Sequence, residues 1–388
     1  MQWPTDMMRP PQWSVHLILN CSRRRIFRCG YSLLEFSMVT LILGVAMVIT
    51  VPVVLKSQTE ARQLGCATRM GNLAKAVLAF ENANGRMPVA GLVAPQPQSQ
   101  AEAIGSYNER SGLQISWVVL TLPFQDQEEL FNSFDLDLPI FQQSDKAIGS
   151  VIRDLQCPAD NLGASIFQSY RRIALGNYVA FISPVHGEHE EYLPGALGGF
   201  EPGTLDGQRL AEISDGFGNT LMLTEVRRRP STGSGDTVTD QRGAWALSWM
   251  ASSVLSADVH SANEGGSDFF GLFRPYVPSR RSSFSPTPNS QSKNSVVDQI
   301  NPCSRPVDSL EAGIPCTRHN GYGTGFTAAA PRSLHGGGVN MAYVDGRVAF
   351  VTDDIDFVLY GNLVSSNNGR PVFSNPVKLF PPRKANRN

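Results

Sequence analysis

Polar and apolar positions divide the chain unevenly. Twenty-five residues, Tyr31 to Leu55, hold one charged side chain, Glu35, and the next charge is Lys56. A run of this length is enough to cross a bilayer, which takes about 20 apolar residues. A lone carboxylate inside it costs of order 2.5–3.5 kcal/mol near a bilayer centre, so a partner is expected. From Leu64 the pattern turns helical. Leu64, Met70, Leu73, Val77 and Phe80 recur at helix spacing, with Ala74 and Leu78 beside them, while Arg62, Arg69, Lys75 and Glu81 form a wet face. Asn84-Gly85 is a stop signal and Pro88 follows. The pattern predicts one helix over residues 31–83, roughly 80 Å long at 1.5 Å per residue. Its first half would be a membrane anchor and its second half the spine of a globular head.

Beyond the helix, residues 89–112 read as a loop, Ile115–Leu122 as a buried strand or short helix, and Gln125–Phe134 as helical. Asn177–Ile182, Thr220–Glu225 and Ala244–Met250 predict strands, and Ser214-Asp215-Gly216 a turn. Residues 229–242 and 277–298 are Ser-rich loops. Gly338–Tyr343 and Arg347–Val351 flank Asp345-Gly346, a strong hairpin signal. The fold class predicted is α+β: a long N-terminal helix packed on a large, mainly antiparallel β head over 84–375, with a basic, frayed tail over 376–388.

Composition supports a head outside the cytoplasm. Charged residues are 17% of the 388, while Gly (35) and Pro (26) are plentiful, which suits a turn-rich β domain. No basic face or motif points to nucleic acid. Four of the six cysteines lie after residue 30. Cys303 and Cys316 close a short proline-rich loop and are expected to pair; Cys66 with Cys157 follows by elimination. A zinc site is the competing reading, but no Cys-x-x-Cys or clustered His supports it.

Ahead of the apolar run stand Arg23, Arg24, Arg25 and Arg28, which would hold their segment in the cytoplasm. Gly30, Tyr31, Ser32-Leu33-Leu34 and Glu35 follow. Basic leader, glycine, aromatic, three small or apolar residues, glutamate and a long apolar helix together resemble the start of type IV prepilins and pseudopilins. The resemblance implies a 30-residue leader, a cut by a prepilin peptidase between Gly30 and Tyr31, and methylation of the new amine. It also implies that Glu35 pairs with the terminal amine of a neighbouring subunit during assembly. Pro52 stands where many pilins carry a helix-kinking proline. Tyr31 replaces the family's usual phenylalanine, and Phe36 its usual leucine. The apolar run alone leaves two alternatives open, an uncleaved signal anchor and a secretory signal cut after Gly44-Val45-Ala46. The second gives Glu35 no role.

The head resembles one subgroup of such proteins, whose large C-terminal domain has no assigned function. Its mark is a histidine, nine residues, then Asp-Gly, matched by His335 and Asp345-Gly346. Ser116-Trp117 to Leu122-Pro123, Cys157-Pro158-Ala159-Asp160, and Ile213-Ser214-Asp215-Gly216 through to Glu225 match its other motifs in order. The resemblance implies a non-catalytic subunit of a type IV pilus or type II secretion-like system. Its partners would be the peptidase, other pilin or pseudopilin subunits and the inner membrane, with the head in the periplasm or exoplasm.

Within the head, His335 and Asp345 near a glycine-rich loop invite an acid/base or ligand reading, with Asn340, Asp215 and Glu225 as companions. Against it, Asp345-Gly346 suits a turn for backbone reasons, and His335 would pin the glycines that follow it. No nucleophile elbow, P-loop or zinc-protease spacing occurs, so no enzyme is expected. No cofactor is expected beyond calcium at Asp353, Asp354 and Asp356, where the glycine and distal glutamate of an EF-hand loop are missing. His186-Gly187-Glu188-His189-Glu190-Glu191 reads as a solvated acidic turn. The competing function is a monomeric, membrane-tethered module whose head binds a glycan, a peptide or a cation.

Overall fold

The computed structural model describes residues 32–94, 110–169, 171–184, 194–198, 207–231, 237–257, 287–291, 298–303, 306–318 and 327–367. Gly30, Tyr31, the leader, residues 186–191 and the tail lie outside the described residues, as does most of 277–298. The chain divides after Leu55 into two units.

Helix α1 runs Leu33–Asn84. In the first unit its apolar side chains face outward all round: Leu33, Phe36, Ile42, Met47, Val48 and Leu55 are each more than half exposed. Pro52 sits inside the helix and has no N–H to give the carbonyl one turn back. In the second unit, Cys66, Met70, Leu73, Ala74, Val77 and Phe80 form one buried stripe at helical spacing. Leu64, expected to open that stripe, is 68% exposed; Cys66 takes its place. Arg69, expected on the wet face, leans onto the head and donates to the Gln156 carbonyl. Gly65 on α1 allows close approach to the head: a Cβ there would stand 3.3 Å from the Pro158 side chain.

The strands in chain order are β1 (Gly91–Leu92), β2 (Ile115–Ser116), β3 (Ile166–Gln168), β4 (Arg172–Ala174), β5 (Tyr178–Ser183), β6 (Leu221–Glu225), β7 (Thr237–Val238), β8 (Val254–Ser256), β9 (Asp298–Ile300), β10 (Cys316–Arg318), β11 (Gly338–Tyr343) and β12 (Val348–Thr352). Five of them make the central sheet in the order β12-β11-β6-β5-β8. The pairs from β12 to β5 are antiparallel, while β8 joins β5 in parallel. Two further parallel pairs, β3·β7 and β9·β10, make the head more mixed than the sequence suggested.

Strands β5, β6 and β11 are buried at every position, because both faces of the sheet are covered. Tyr178 points to α1, its hydroxyl 3.0 Å from the Cys66 carbonyl. Three residues on, and so on the opposite face, Phe181 meets Tyr360 of the helix Phe357–Val364 edge to face at 6.1 Å. The α1-facing side therefore carries Tyr178, Leu221, Leu223 and Glu225.

Ala244–Met250 is not a strand. Gly243 (φ 81°) and Ala251 (φ 60°) bound it with left-handed residues, and local bonds such as Leu247 N to Ala244 O fold it into turns. Its apolar content instead seats two indoles: Trp245 donates to the Ser150 carbonyl and Trp249 to Gln114 Oε1. Gln125–Phe134, expected to be one helix, is a 3₁₀ turn over Leu122–Gln125 and a single turn over Glu128–Phe131. Asp126, in a left-handed conformation, breaks it.

Both expected disulfides are formed, Cys66–Cys157 and Cys303–Cys316. Their sequence separations are 91 and 13 residues. A cross-link limits the unfolded chain more when its loop is longer, so the chain-entropy estimate is about 4.6 kcal/mol for the first and about 3 for the second. Urea unfolding of the full chain in detergent is expected to show a larger loss for the Cys66→Ser/Cys157→Ser pair than for Cys303→Ser/Cys316→Ser. The reverse ranking would contradict the role of the first as the main clamp on α1.

Candidate functional site

A polar group lies on the α1-facing side of the sheet, where β6 ends and β11 begins. Glu225 pairs in register with Tyr178 on β5. On its other side, the β6–β11 register, Met341 opposite Thr224, brings Asn340 level with Glu225. The Glu225 carboxylate is 1% exposed. Its Oε2 accepts the Asn340 backbone N–H at 2.8 Å; its Oε1 accepts the Asn340 side-chain amide at 3.0 Å and His335 Nε2 at 3.1 Å. Three donors offset the cost of burying this carboxylate. Next in the row, Phe350 of β12 packs edge to face on the His335 ring at 6.5 Å. His335 Nε2 also stands 3.8 Å from Cys157 Sγ of the disulfide that reaches α1.

The group thus joins residues from separate motifs. Cys157 belongs to Cys-Pro-x-Asp, Glu225 ends the Ile-x-Asp-Gly run, and His335 opens the His-x9-Asp-Gly run. Asp160, the last residue of the first motif, receives Asn177 Nδ2 at 2.6 Å and the Arg228 backbone N–H at 2.9 Å. Asn177 in turn accepts the Cys157 N–H at 2.8 Å and donates to the Val226 carbonyl. Cys157 is therefore tied through Asn177 to the residues that directly follow Glu225. The Arg332 N–H closes the ring by donating to the Glu225 carbonyl. Arg332 itself forks onto Asp298, which also takes Arg242, and Arg242 holds Asp240. This four-membered ion network is fully buried. Burial works to raise the Asp240 carboxyl, but the charge and hydrogen bonds of Arg242 outweigh it and hold that carboxyl below its ordinary value.

The structure separates His335 from Asp345. They flank opposite ends of β11, whose six residues span roughly 17 Å. Asp345 instead builds the β11–β12 turn: its Oδ1 accepts the Arg347 N–H at 2.9 Å, and Gly346 takes φ 84°, a conformation that favours glycine. The nine-residue spacer is thus the length of a strand with its approaches, not the reach of an acid/base pair. Asp215 lies in its own turn, where its carbonyl accepts Asn219 and its N–H meets Ser366. Asp356 caps the helix Phe357–Val364 by accepting the Leu359 N–H, Asp353 accepts Asn289, and Asp354 is exposed. Among the described residues, the one set of three or more His, Cys, Asp or Glu side chains close enough to hold a metal is Cys66, Cys157, Glu225 and His335. The sequence pairs Cys66 with Cys157 and sets Glu225 beside His335, but does not join the four. Tyr178, Asn177 and Phe350 were missed, and strand register is the only signal that could have found them.

Tyr178 sets the pH response of this region. Burial first, and the Glu225 charge second, push its phenol well above the ordinary value. A raised value in the folded chain means stability that is full below about pH 10 and is lost as pH climbs past it. Tyr178→Phe removes the bond to Cys66, so at pH 7 it is expected to cost about 1 kcal/mol. The gap should close by about 1.4 kcal/mol per pH unit above 10; a gap that stays constant to pH 11 would contradict this. A second expectation follows from the separation along β11. His335→Ala and Asp345→Ala should destabilise additively, within about 0.5 kcal/mol, as distant sites do. Stronger coupling in a denaturation cycle would restore the acid/base pairing.

Comparison with known proteins gives a family but no activity. No curated protein and no solved structure matches the chain. One family model, described as "Protein of unknown function (DUF1559)", matches residues 58–358. Covering most of the chain, and with it α1's buried stripe, the central sheet and all four converging side chains, that match makes the protein a member of the DUF1559 family.

Proposed function

We propose that the chain is a non-catalytic pilin- or pseudopilin-like subunit, cut after Gly30 and assembled through the apolar half of α1 in a type IV pilus or type II secretion-like system. The observation that carries this reading is the division of one helix into two chemistries. Among the described residues, α1 is the one helix long and apolar enough to cross a membrane, and none of its most apolar stretch is buried. The same helix then becomes a buried spine, fastened by a disulfide suited to an oxidising compartment. Lateral packing against a second amino terminus would give the Glu35 carboxylate a counter-charge within the apolar run.

Glu35 has a local role as well. Its Oε2 accepts the Ser32 N–H at 2.9 Å, while Ser32 Oγ accepts the Leu34 N–H at 3.2 Å. Glu35 therefore closes back on Ser32 as in the glutamate half of a capping box, while Ser32 caps the Leu34 N–H, and the negative charge suits the helix N-terminus. Capping and assembly make different demands. Glutamine serves a capping box as well as glutamate does but cannot neutralise an amine.

Two measurements test the proposal. Mass spectrometry of the mature chain is expected to find a methylated Tyr31 at the amino terminus; an intact leader, or a start at Met47, overturns it. With Glu35→Gln and Glu35→Val, membrane insertion should persist while filament or pseudopilus incorporation falls at least about tenfold in both. Incorporation of Glu35→Gln at the wild-type level would reduce Glu35 to a cap and leave a tethered head.

A further inference from the structure

The four side chains that meet beside α1 have the chemistry of a zinc site. Cys66 Sγ, Cys157 Sγ, a Glu225 carboxylate oxygen and His335 Nε2 all lie within 4.8 Å of one another, and all four residues are buried. His335 Nε2 is 3.8 Å from Cys157 Sγ and 3.1 Å from Glu225 Oε1. A proton relay would engage the two ring nitrogens with two different partners; here one nitrogen faces both, as ligands do around a common centre. Zinc binds thiolate at about 2.3 Å and imidazole or carboxylate at about 2.0–2.2 Å in a tetrahedron, which puts neighbouring ligand atoms about 3.3–3.8 Å apart. The sulfur–imidazole and imidazole–carboxylate separations already lie near that range. The two sulfurs, bonded to each other, must part, and the remaining pairs, all within 4.8 Å, need close only by about an ångström.

We propose that, when Cys66–Cys157 is reduced, this cluster takes up one Zn²⁺ ligated by Cys66, Cys157, His335 and Glu225. A dithiol reductant supplies two electrons and two protons. The Cys66–Cys157 S–S bond breaks, two thiols form, and the reductant becomes its own disulfide. Zinc then displaces both thiol protons to solvent. His335 gives up its Nε2 proton to present a lone pair and carries its hydrogen on Nδ1 instead. Glu225 exchanges the His335 hydrogen bond for the metal and keeps both bonds from Asn340, which orient it as second-layer partners orient zinc ligands. Two thiolates, one carboxylate and Zn²⁺ carry one net negative charge, the same as the Glu225 carboxylate beside the disulfide, so the interior gains no charge. The spine of α1 would thus stay fastened to the head in reducing surroundings, by metal instead of by an S–S bond. This holds whether or not the apolar half of α1 assembles with other subunits.

The test uses the full chain in detergent, reduced with a phosphine under anaerobic conditions and titrated with Zn²⁺ against a chromophoric chelator. The reduced chain is expected to bind one Zn²⁺ and the oxidised chain none. Co²⁺ in place of Zn²⁺ should give a thiolate charge-transfer band in the near ultraviolet. His335→Ala and Glu225→Gln should each weaken binding at least about tenfold. Cys303→Ser/Cys316→Ser should leave the single site intact, and Cys66→Ser/Cys157→Ser should abolish it. Near-ultraviolet circular dichroism covers unfolding: a reduced chain that loses its tertiary signal should recover it with one equivalent of Zn²⁺. No stoichiometric binding by the reduced chain, folded or unfolded, overturns the proposal. So does binding that persists without Cys66 and Cys157, or that is undiminished in His335→Ala.

Discussion

A carboxylate with almost no access to water is the constraint on which the rest of the head depends. Glu225 lies at the end of the middle strand of the sheet, and its charge is acceptable there only while three donors reach it. Two come from Asn340 and fix β11 against β6 in a single register. The third comes from His335 and draws the glycine-rich approach to β11 over the sheet. A one-residue slip of β11 would turn Asn340 to the far face and strand the carboxylate, so the polar contact specifies a pairing that apolar packing alone would leave looser.

The same point ties the helix to the sheet. Cys157 is held by Asn177 and bonded to Cys66, and Tyr178 donates to the carbonyl of Cys66. Three strands, one loop and one turn of α1 thus converge within a few ångströms. Beside this joint Gly65 packs on Pro158, where a Cβ would stand at 3.3 Å and the proline ring would have to give way slightly.

Much of the architecture was legible in the sequence. The helix declares itself through one long apolar run followed by a 3.6-residue stripe. The hairpin declares itself through Asp345-Gly346, and both disulfides through spacing and elimination. What failed did so for identifiable reasons. Ala244–Met250 has the composition of a strand, but its two tryptophans are buried in turns, and composition does not distinguish the two. Leu64 is apolar but points about 80° beyond the nearest edge of the buried stripe, almost opposite its centre, a difference set by where the sheet touches the helix. The convergence of Cys66, Cys157, Glu225 and His335 was out of reach because it joins four segments through strand register and one disulfide. No local pattern encodes that meeting. The Ser32-x-x-Glu35 capping box, by contrast, was present in plain order and was passed over beside the larger question of the membrane.

The central claim is that His335 and Glu225 act as one buried unit. A double-mutant cycle on the full chain, with His335→Ala, Glu225→Gln and their combination compared by urea unfolding at pH 7, measures that directly. The account predicts a coupling of about 1–3 kcal/mol, the worth of a buried hydrogen bond to a charged group. A coupling indistinguishable from zero, with each substitution costing the same whether or not the other is present, would contradict it.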